Sequence, residues 1–348
     1  MTRMPAPKSI CILRLSAIGD VCNVVAAVQA IQRHYPYAKL TWIIGRVEHS
    51  LLKGLPGVRF VVFDKKKGWR AYRQLKNDLA DETFDYLLHM QLALRANLAS
   101  LFINARIKVG FDQARAKELH SLFMTNTIAP RQGDHVLDGF MQFANFIGVP
   151  KAPPHWNVPI NTNDQAWALQ QVGDSTKNFI MCPAASKAER NWLPARYAKI
   201  ADWMAAQGYQ VFICGANTAI EQQLAQNIEQ TVTQPMINLV GKSNLKQLLA
   251  LIAQADLVLA PDTGPAHMAN AVGTPVVGLY AHSNPVRTGP YVYPGLVVDV
   301  YHLLLKNNYN QLSSDVKWGF RLKGDDLMKH ISVDAVKEKL QQVIASKG

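Results

Sequence analysis

The sequence predicts an α/β protein made of two tandem Rossmann-like units, on three observations. Short apolar runs alternate with amphipathic helical stretches; the runs are apolar throughout rather than at every second residue; and the alternation halts at a proline-rich stretch near the middle, then restarts. Continuous apolar strands separated by helices mark a parallel sheet covered on both faces. A chain of 348 residues also exceeds the size at which one hydrophobic core keeps growing.

In the first half, Ile10–Leu15 reads as a buried strand and Val21–His34 as the helix after it. Leu40–Ile44, Arg59–Phe63 and Tyr86–Met90 read as further strands, with helical patterns at Trp69–Leu79 and Leu94–Asn104. Between Val149 and Asp164 the prolines cluster and the helical period is lost, which predicts an interdomain linker. The second half then offers strands at Phe179–Cys182, Gln210–Cys214, Leu257–Ala260 and Val276–Tyr280. Its helices are expected at Pro194–Gln207, Ala219–Gln230, Asn244–Gln254 and Pro265–Ala271. The expected domains are therefore 1–155 and 156–325, with an amphipathic helix in the tail 326–348 whose docking the pattern leaves open.

Composition narrows the function. Apolar residues at 49% and charged residues at 18% exclude a disordered or fibrous chain. A formal net charge of +12 points to anionic partners: nucleotides, phosphorylated or carboxylated sugars, an acidic membrane surface or nucleic acid. Cys11, Cys22, Cys182 and Cys214 form no C-x-x-C pair and read as reduced, mostly buried thiols of a cytoplasmic protein. Met1–Lys8 is short, polar and proline-bearing, unlike a signal peptide, and no apolar run reaches the ~18 residues of a spanning helix. A peripheral visit to a membrane stays open.

Several chemistries are missing. No two glycines are spaced G-x-G, so the dinucleotide fingerprint is absent. Gly241-Lys242-Ser243 imitates the end of a P-loop, but Met236 stands where its first glycine belongs. There is no D-x-D pair and no zinc-ligand spacing among the histidines. A metal-free site reading phosphate with backbone amides remains.

Three constellations fit such a site. Asp262-Thr-Gly-Pro-Ala-His267 follows the strand ending at Ala260, and the turn at Thr263–Gly264 would aim free N–H groups and the positive helix end at a diphosphate. Ordinary N-capping by Asp262 or Thr263, with His267 a satisfied surface histidine, fits equally well. Leu15-Ser-Ala-Ile-Gly-Asp20 closes the first strand at the sheet edge where ligands collect, and Asp20 is a base or a helix cap. Ser186, Lys187 and Arg190 lie in the loop before Trp192-Leu-Pro194 and could neutralise a departing diphosphate, or simply form a solvated basic loop.

Together these motifs resemble the ADP-heptose:lipopolysaccharide heptosyltransferases, glycosyltransferase family 9, over Lys8 to about Gly289. The resemblance implies a GT-B fold, two Rossmann-like domains facing a central cleft, and an inverting, metal-independent transfer with no cofactor beyond an ADP-sugar donor. It implies Asp20 as the base, and Arg190 where members often carry a donor-contacting lysine, a task Lys187 could share. Glu221, closing the G-x(5)-E segment from Gly215, would bind the donor ribose, and Lys242 and Ser243 would line the adenine pocket. Asp262 would touch the heptose, Thr263 and Gly264 the diphosphate, and His267 a phosphate. The implied acceptor is an inner-core Kdo on lipid A, most simply at the first heptose addition, with peripheral contact at the cytoplasmic face of the inner membrane. Lys65, Lys66, Lys67, Arg70 and Arg73 then read as acceptor-binding cations rather than a solvated face, with Arg106, Lys108, Arg115 and Lys117 beside them. Another nucleotide sugar as donor is the nearest alternative. A basic nucleic-acid-binding protein is disfavoured, because no binding motif is present and the aromatics are not interleaved with the cations.

Overall fold

The computed structural model describes residues 6–130, 133–175 and 177–347. Residues 1–5, part of the opening stretch weighed above as a leader, lie outside the described residues. The chain divides into two compact units, Met1–Pro159 and Ile160–Gly348.

Unit 1 runs β1 (Ser9–Leu13), α1 (Ile18–His34), β2 (Lys39–Gly45), α2 (Arg46–Leu52), β3 (Val58–Phe63), α3 (Trp69–Asp78), β4 (Phe84–His89), α4 (Leu94–Ser100), β5 (Ala105–Gly110), β6 (Asn126–Thr127) and α5 (Val136–Phe146). Its described strands form one parallel sheet in the order β3-β2-β1-β4-β5-β6. Because β1 is covered on both faces, Ile10 to Leu13 are wholly buried, which is why the strand reads as an unbroken apolar run. On one face Cys11 and Leu13 pack with Tyr72 and Leu75 of α3 and Ala96 and Ala99 of α4. The expected linker is no free tether up to Pro159. Trp156 donates its indole N–H to the Cys22 carbonyl at 2.9 Å, and Asn157 exchanges hydrogen bonds with Gln29 at 2.8 and 2.9 Å, strapping this stretch to α1.

Unit 2 runs α6 (Thr162–Val172), β7 (Asn178–Met181), α7 (Pro194–Ala206), β8 (Gln210–Ile213), α8 (Ala219–Glu229), β9 (Ile237–Asn238), α9 (Leu245–Ala253), β10 (Leu257–Pro261), α10 (Gly264–Val272), β11 (Val276–Tyr280), α11 (Pro285–Thr288), β12 (Val297–Asp299), α12 (Tyr301–Tyr309) and α13 (Val333–Lys347). Its sheet, also parallel, has the order β12-β11-β10-β7-β8-β9. Counted from each unit's own first strand, both sheets follow one plan, 3-2-1-4-5-6. That plan has its topological switch point between the first and fourth strands, where ligands gather beyond the carboxyl ends. The tail docks on unit 2: α13 packs on α7, β11 and β12, and Trp192 and Arg196 donate to the carbonyls of Ile331 and Lys329 at 3.0 and 2.7 Å.

The four cysteines are free and buried, and burial pushes the Cys22 and Cys214 thiols up to about 12, so none is an ionised nucleophile near neutral pH. The additional cations of unit 1 separate on inspection. Arg115 is buried, paired with Asp112 and donating to Gln142 at 2.9 Å, so it braces the fold instead of facing a ligand. Lys108, in β5, spends its ammonium on the Ser100 carbonyl at 2.8 Å. Arg106 reaches Asp85 at 3.3 Å, while Lys117 is exposed.

Candidate active site

At the unit 1 switch point the chain leaves β1 through Arg14–Ala17 and enters α1. The N-cap is Ala17, so Asp20 is the third helical residue and not the cap expected as one reading. Its carboxylate accepts from the Ala17 N–H at 3.3 Å and is paired with the Arg14 guanidinium. Arg14 in turn donates to the Met90 carbonyl at 2.5 Å, and its side chain is only 12% exposed against 33% for Asp20. Gln91 accepts from the Leu15 and Ser16 N–H groups at 2.6 and 3.3 Å, joining the turn after β4 to the turn after β1. Behind it lies His89, fully buried with its ring edge-on to His120 at 4.6 Å. Burial, reinforced at His89 by the neighbouring ring, lowers both histidines, His120 to about 4, so the pair is neutral near pH 7. Arg14 and Gln91 were not singled out from sequence; Arg14 showed only as a charge interrupting an apolar run.

The lysines that follow β3 form a single 3₁₀ turn, Lys65–Lys67, with Asp64 as cap accepting from the Lys66 N–H at 3.0 Å. Lys65, Lys66, Lys67, Arg70 and Arg73 are all exposed. They stand after the carboxyl end of β3, the same edge of the parallel sheet on which Asp20 follows β1.

The parallel sheet of unit 2 likewise delivers every remaining candidate to one edge, since each sits in the loop or helix start after a strand's carboxyl end. After β10, Thr263 is the N-cap of α10, yet its hydroxyl donates to the Pro261 carbonyl at 3.2 Å and does not cap the helix. Asp262 does not cap it either. Its carboxylate accepts from the Ser283 hydroxyl at 2.7 Å and faces Arg321 at 3.8 Å. The capping explanation of this turn is therefore set aside, and the first-turn amide of Gly264 keeps a positive helix end available. His267, the fourth residue of α10, is buried rather than at the surface.

Arg190 belongs to the same group. It donates to Ser186 at 2.5 Å, and burial together with the nearby Arg321 holds its guanidinium below the usual arginine range, partly offset by Asp262. Asp262 thus faces Arg321, while Arg190 lies in the field of both and of Glu189. His282 ties the backbones beside the two arginines together, one ring nitrogen 2.9 Å from the Glu189 carbonyl and the other 3.1 Å from the Leu322 carbonyl. Ser283 and Arg321 also form an antiparallel bridge, and Arg287 stacks on Trp318 at 4.3 Å, holding the segment that carries Arg321. Lys187 turns aside to Glu189 at 3.6 Å and is exposed. Ser283, His282 and Arg321 carried no sequence signal.

A second group forms after β8 and β9. Glu221, at the third position of α8, accepts from the Ala216 N–H at 2.6 Å, and a Cβ at Gly215 would lie 2.5 Å from its carboxylate oxygen. Gly241, at φ +74°, donates to the Gly215 carbonyl at 3.0 Å and brings Lys242 and Ser243 beside that loop. Lys242 donates to the Asn238 carbonyl at 2.8 Å. Among the described residues, no three His, Cys, Asp or Glu side chains cluster as a metal site, and no helix is long and apolar enough to cross a membrane.

The family model for glycosyltransferase family 9 (heptosyltransferase) matches residues 72–307. A lipopolysaccharide core heptosyltransferase, OpsX of Haemophilus influenzae, is 44% identical over 331 residues, covering 95% of both chains. The fold is shared with a family 9 glycosyl transferase of Veillonella parvula, at TM-score 0.80 and 19% identity over 97% of each chain. It is shared also with the E. coli heptosyltransferase WaaC solved with ADP, at TM-score 0.76 and 17% identity over 96% of this chain and 99% of that one. Two parallel six-stranded sheets with flanking helices are the GT-B arrangement expected from the sequence.

Proposed function

Since the chain belongs to glycosyltransferase family 9, the heptosyltransferases, we propose that it moves L-glycero-D-manno-heptose from ADP-heptose to a Kdo hydroxyl of the lipopolysaccharide inner core. The reading places it at the first heptose addition, with inversion at the anomeric carbon, no metal, and work at the cytoplasmic face of the inner membrane. The OpsX relative supports the lipopolysaccharide core as substrate, and the ADP-bound WaaC supports the nucleotide.

One observation carries the reading: Arg321 faces Asp262, Lys187 faces Glu189, and Arg190 lies in the field of Arg321 and both carboxylates, with an N-terminus of α10 that no N-cap side chain occupies after the same strand as Asp262. Two carboxylates, Asp262 and Glu189, do not balance Arg190, Arg321 and Lys187, so the site is short of negative charge, which a diphosphate supplies. There Thr263, Gly264 and His267 contact phosphate, and Asp262 takes a heptose hydroxyl. Glu221 binds the ribose, with Ser186, Lys242 and Ser243 completing the donor site. In unit 1, Asp20 removes the proton of the acceptor hydroxyl as its oxygen bonds to the anomeric carbon and the carbon–oxygen bond to ADP breaks. Arg14 orients that carboxylate, while Lys65, Lys66, Lys67, Arg70 and Arg73 receive the acceptor's carboxylates and phosphates.

The test is to incubate the protein with ADP-heptose and truncated Kdo–lipid A acceptors, follow mass gain, and read the anomeric configuration of the product by NMR. Transfer in the presence of EDTA is expected, with Arg190 and Arg321 bearing the charge of departing ADP. An absolute need for Mg²⁺ or Mn²⁺, combined with unchanged turnover of Arg190→Ala, would overturn the mechanism.

A further inference from the structure

Helix α4 presents leucines to solvent at both of its ends. Ala96, Asn97, Ala99 and Ser100 are buried, whereas Leu94 and Leu101 are 46% and 58% exposed, with Leu98 between them half-buried. Leu98 packs on the core, so the exposed leucines are those at the two ends of the helix, Leu94 at its start and Leu101 just after it. Neighbouring elements add further apolar groups. Trp69, 73% exposed at the start of α3, stacks on Tyr72 at 5.1 Å, and Tyr72 both touches Phe102 at 5.9 Å and donates to the Arg95 carbonyl at 3.3 Å. The turn His120–Phe123 adds Leu119 and Leu122, 66% and 78% exposed, and is tied to α4 by Asn97 donating to the Glu118 carbonyl at 2.8 Å. Leu119 and Glu118 keep left-handed backbones, at φ +62° and +51°, a conformation unusual for either side chain.

The same elements and the residues flanking them carry exposed cations: Lys65, Lys66, Lys67, Arg70, Arg73, Arg95 and Lys117. From this juxtaposition we infer that the surface of unit 1 built from α3, α4 and the turn His120–Phe123 docks on an anionic lipid bilayer. Exposed apolar side chains and exposed cations on the same elements are what an interfacial anchor needs, and tryptophan suits the headgroup level. A second copy of this chain is a poor occupant, because two surfaces each carrying these seven cations repel. The inference rests on the proposed lipid-borne acceptor, and it supplies a reason for the acceptor cations and the leucines to share a surface.

The full-length protein is sedimented with vesicles free of any glycolipid, made either of phosphatidylcholine alone or with ~30% phosphatidylglycerol. Expected is binding to the anionic vesicles about tenfold stronger than to the neutral ones, lost in about 0.5 M NaCl. Leu101→Ser combined with Leu122→Ser should weaken that binding about tenfold, with turnover on a delipidated, water-soluble acceptor unchanged. Because both leucines are solvent-exposed, circular dichroism should match the parent, and Leu94→Ser alone should give a smaller loss in the same direction. Equal binding to both vesicle types, no binding, or a leucine variant that binds like the parent would overturn the proposal. So would a dimer, seen by analytical ultracentrifugation, that the leucine variant dissolves. Vesicle binding without heptose transfer would bring down the functional reading and leave the surface standing.

Discussion

Units 1 and 2 share a strand order, yet their switch points hold opposite chemistry. In unit 1 one carboxylate, Asp20, is matched by one guanidinium, that of Arg14, and the charges balance. In unit 2 two carboxylates, Asp262 and Glu189, meet three cations, Arg321, Lys187 and Arg190, and a positive charge is left over. The balanced pair suits a group that must accept a proton; the unbalanced cluster suits a group that must hold an anion. Identical topology delivers both because it only specifies where loops emerge, and the loop residues decide the chemistry.

The largest effect should come from Asp20→Asn, which keeps the shape of the side chain and removes its basicity. The expected outcome is kcat lower by roughly 10²–10⁴-fold with ADP binding intact, the usual range for a general base. Near-normal turnover in a folded variant would reduce Asp20 to a residue of the first helical turn and erase the contrast between the units.

Arg190→Ala should follow, at roughly a hundredfold in kcat/KM for the donor, because one charged contact to the leaving group is worth about 3 kcal/mol. Arg321→Ala should act in the same direction by about tenfold, since its side chain is 48% exposed and already faces Asp262. If Arg321→Ala instead improved donor binding, its role would be to neutralise Asp262 and not to hold the diphosphate.

Neutralising Lys65, Lys66 and Arg70 together sharpens the comparison from the other side. The acceptor KM should rise about tenfold with the donor KM unmoved, as each exposed cation near an anionic partner contributes modestly. Unchanged acceptor kinetics would return the stretch to a solvated face.

The smallest effect concerns acid. His89 and His120 are neutral in folded unit 1 but free to protonate once unfolded, near the ordinary value of 6.5. The unfolded state therefore binds more protons as the pH falls from about 6.5 toward 4, and stability drops through that window. Scanning calorimetry at about pH 7 and about pH 5 should show the unit 1 transition shifting down more than that of unit 2. A unit 1 transition that holds its temperature would mean the histidine pair is not buried uncharged.

Much of this molecule was legible locally. Burial on both faces leaves its mark within five consecutive residues, so β1, β10 and β11 show themselves as apolar runs, and the turn Asp262–Gly264 announces itself by the residues a strand-to-helix turn requires. Short or charged strands such as β9 and β5 hid, the latter because Arg106 and Lys108 made it look like part of a basic patch. What only the tertiary structure decided are the partners of the charged groups. Gln91 holds Leu15 from 76 positions away and Ser283 reaches Asp262 across 21, distances bridged by crossover helices whose own patterns carry no trace of the contact. A sequence can declare a carboxylate at a sheet edge. Which cations that carboxylate meets depends on which loops the parallel sheet brings to the same edge.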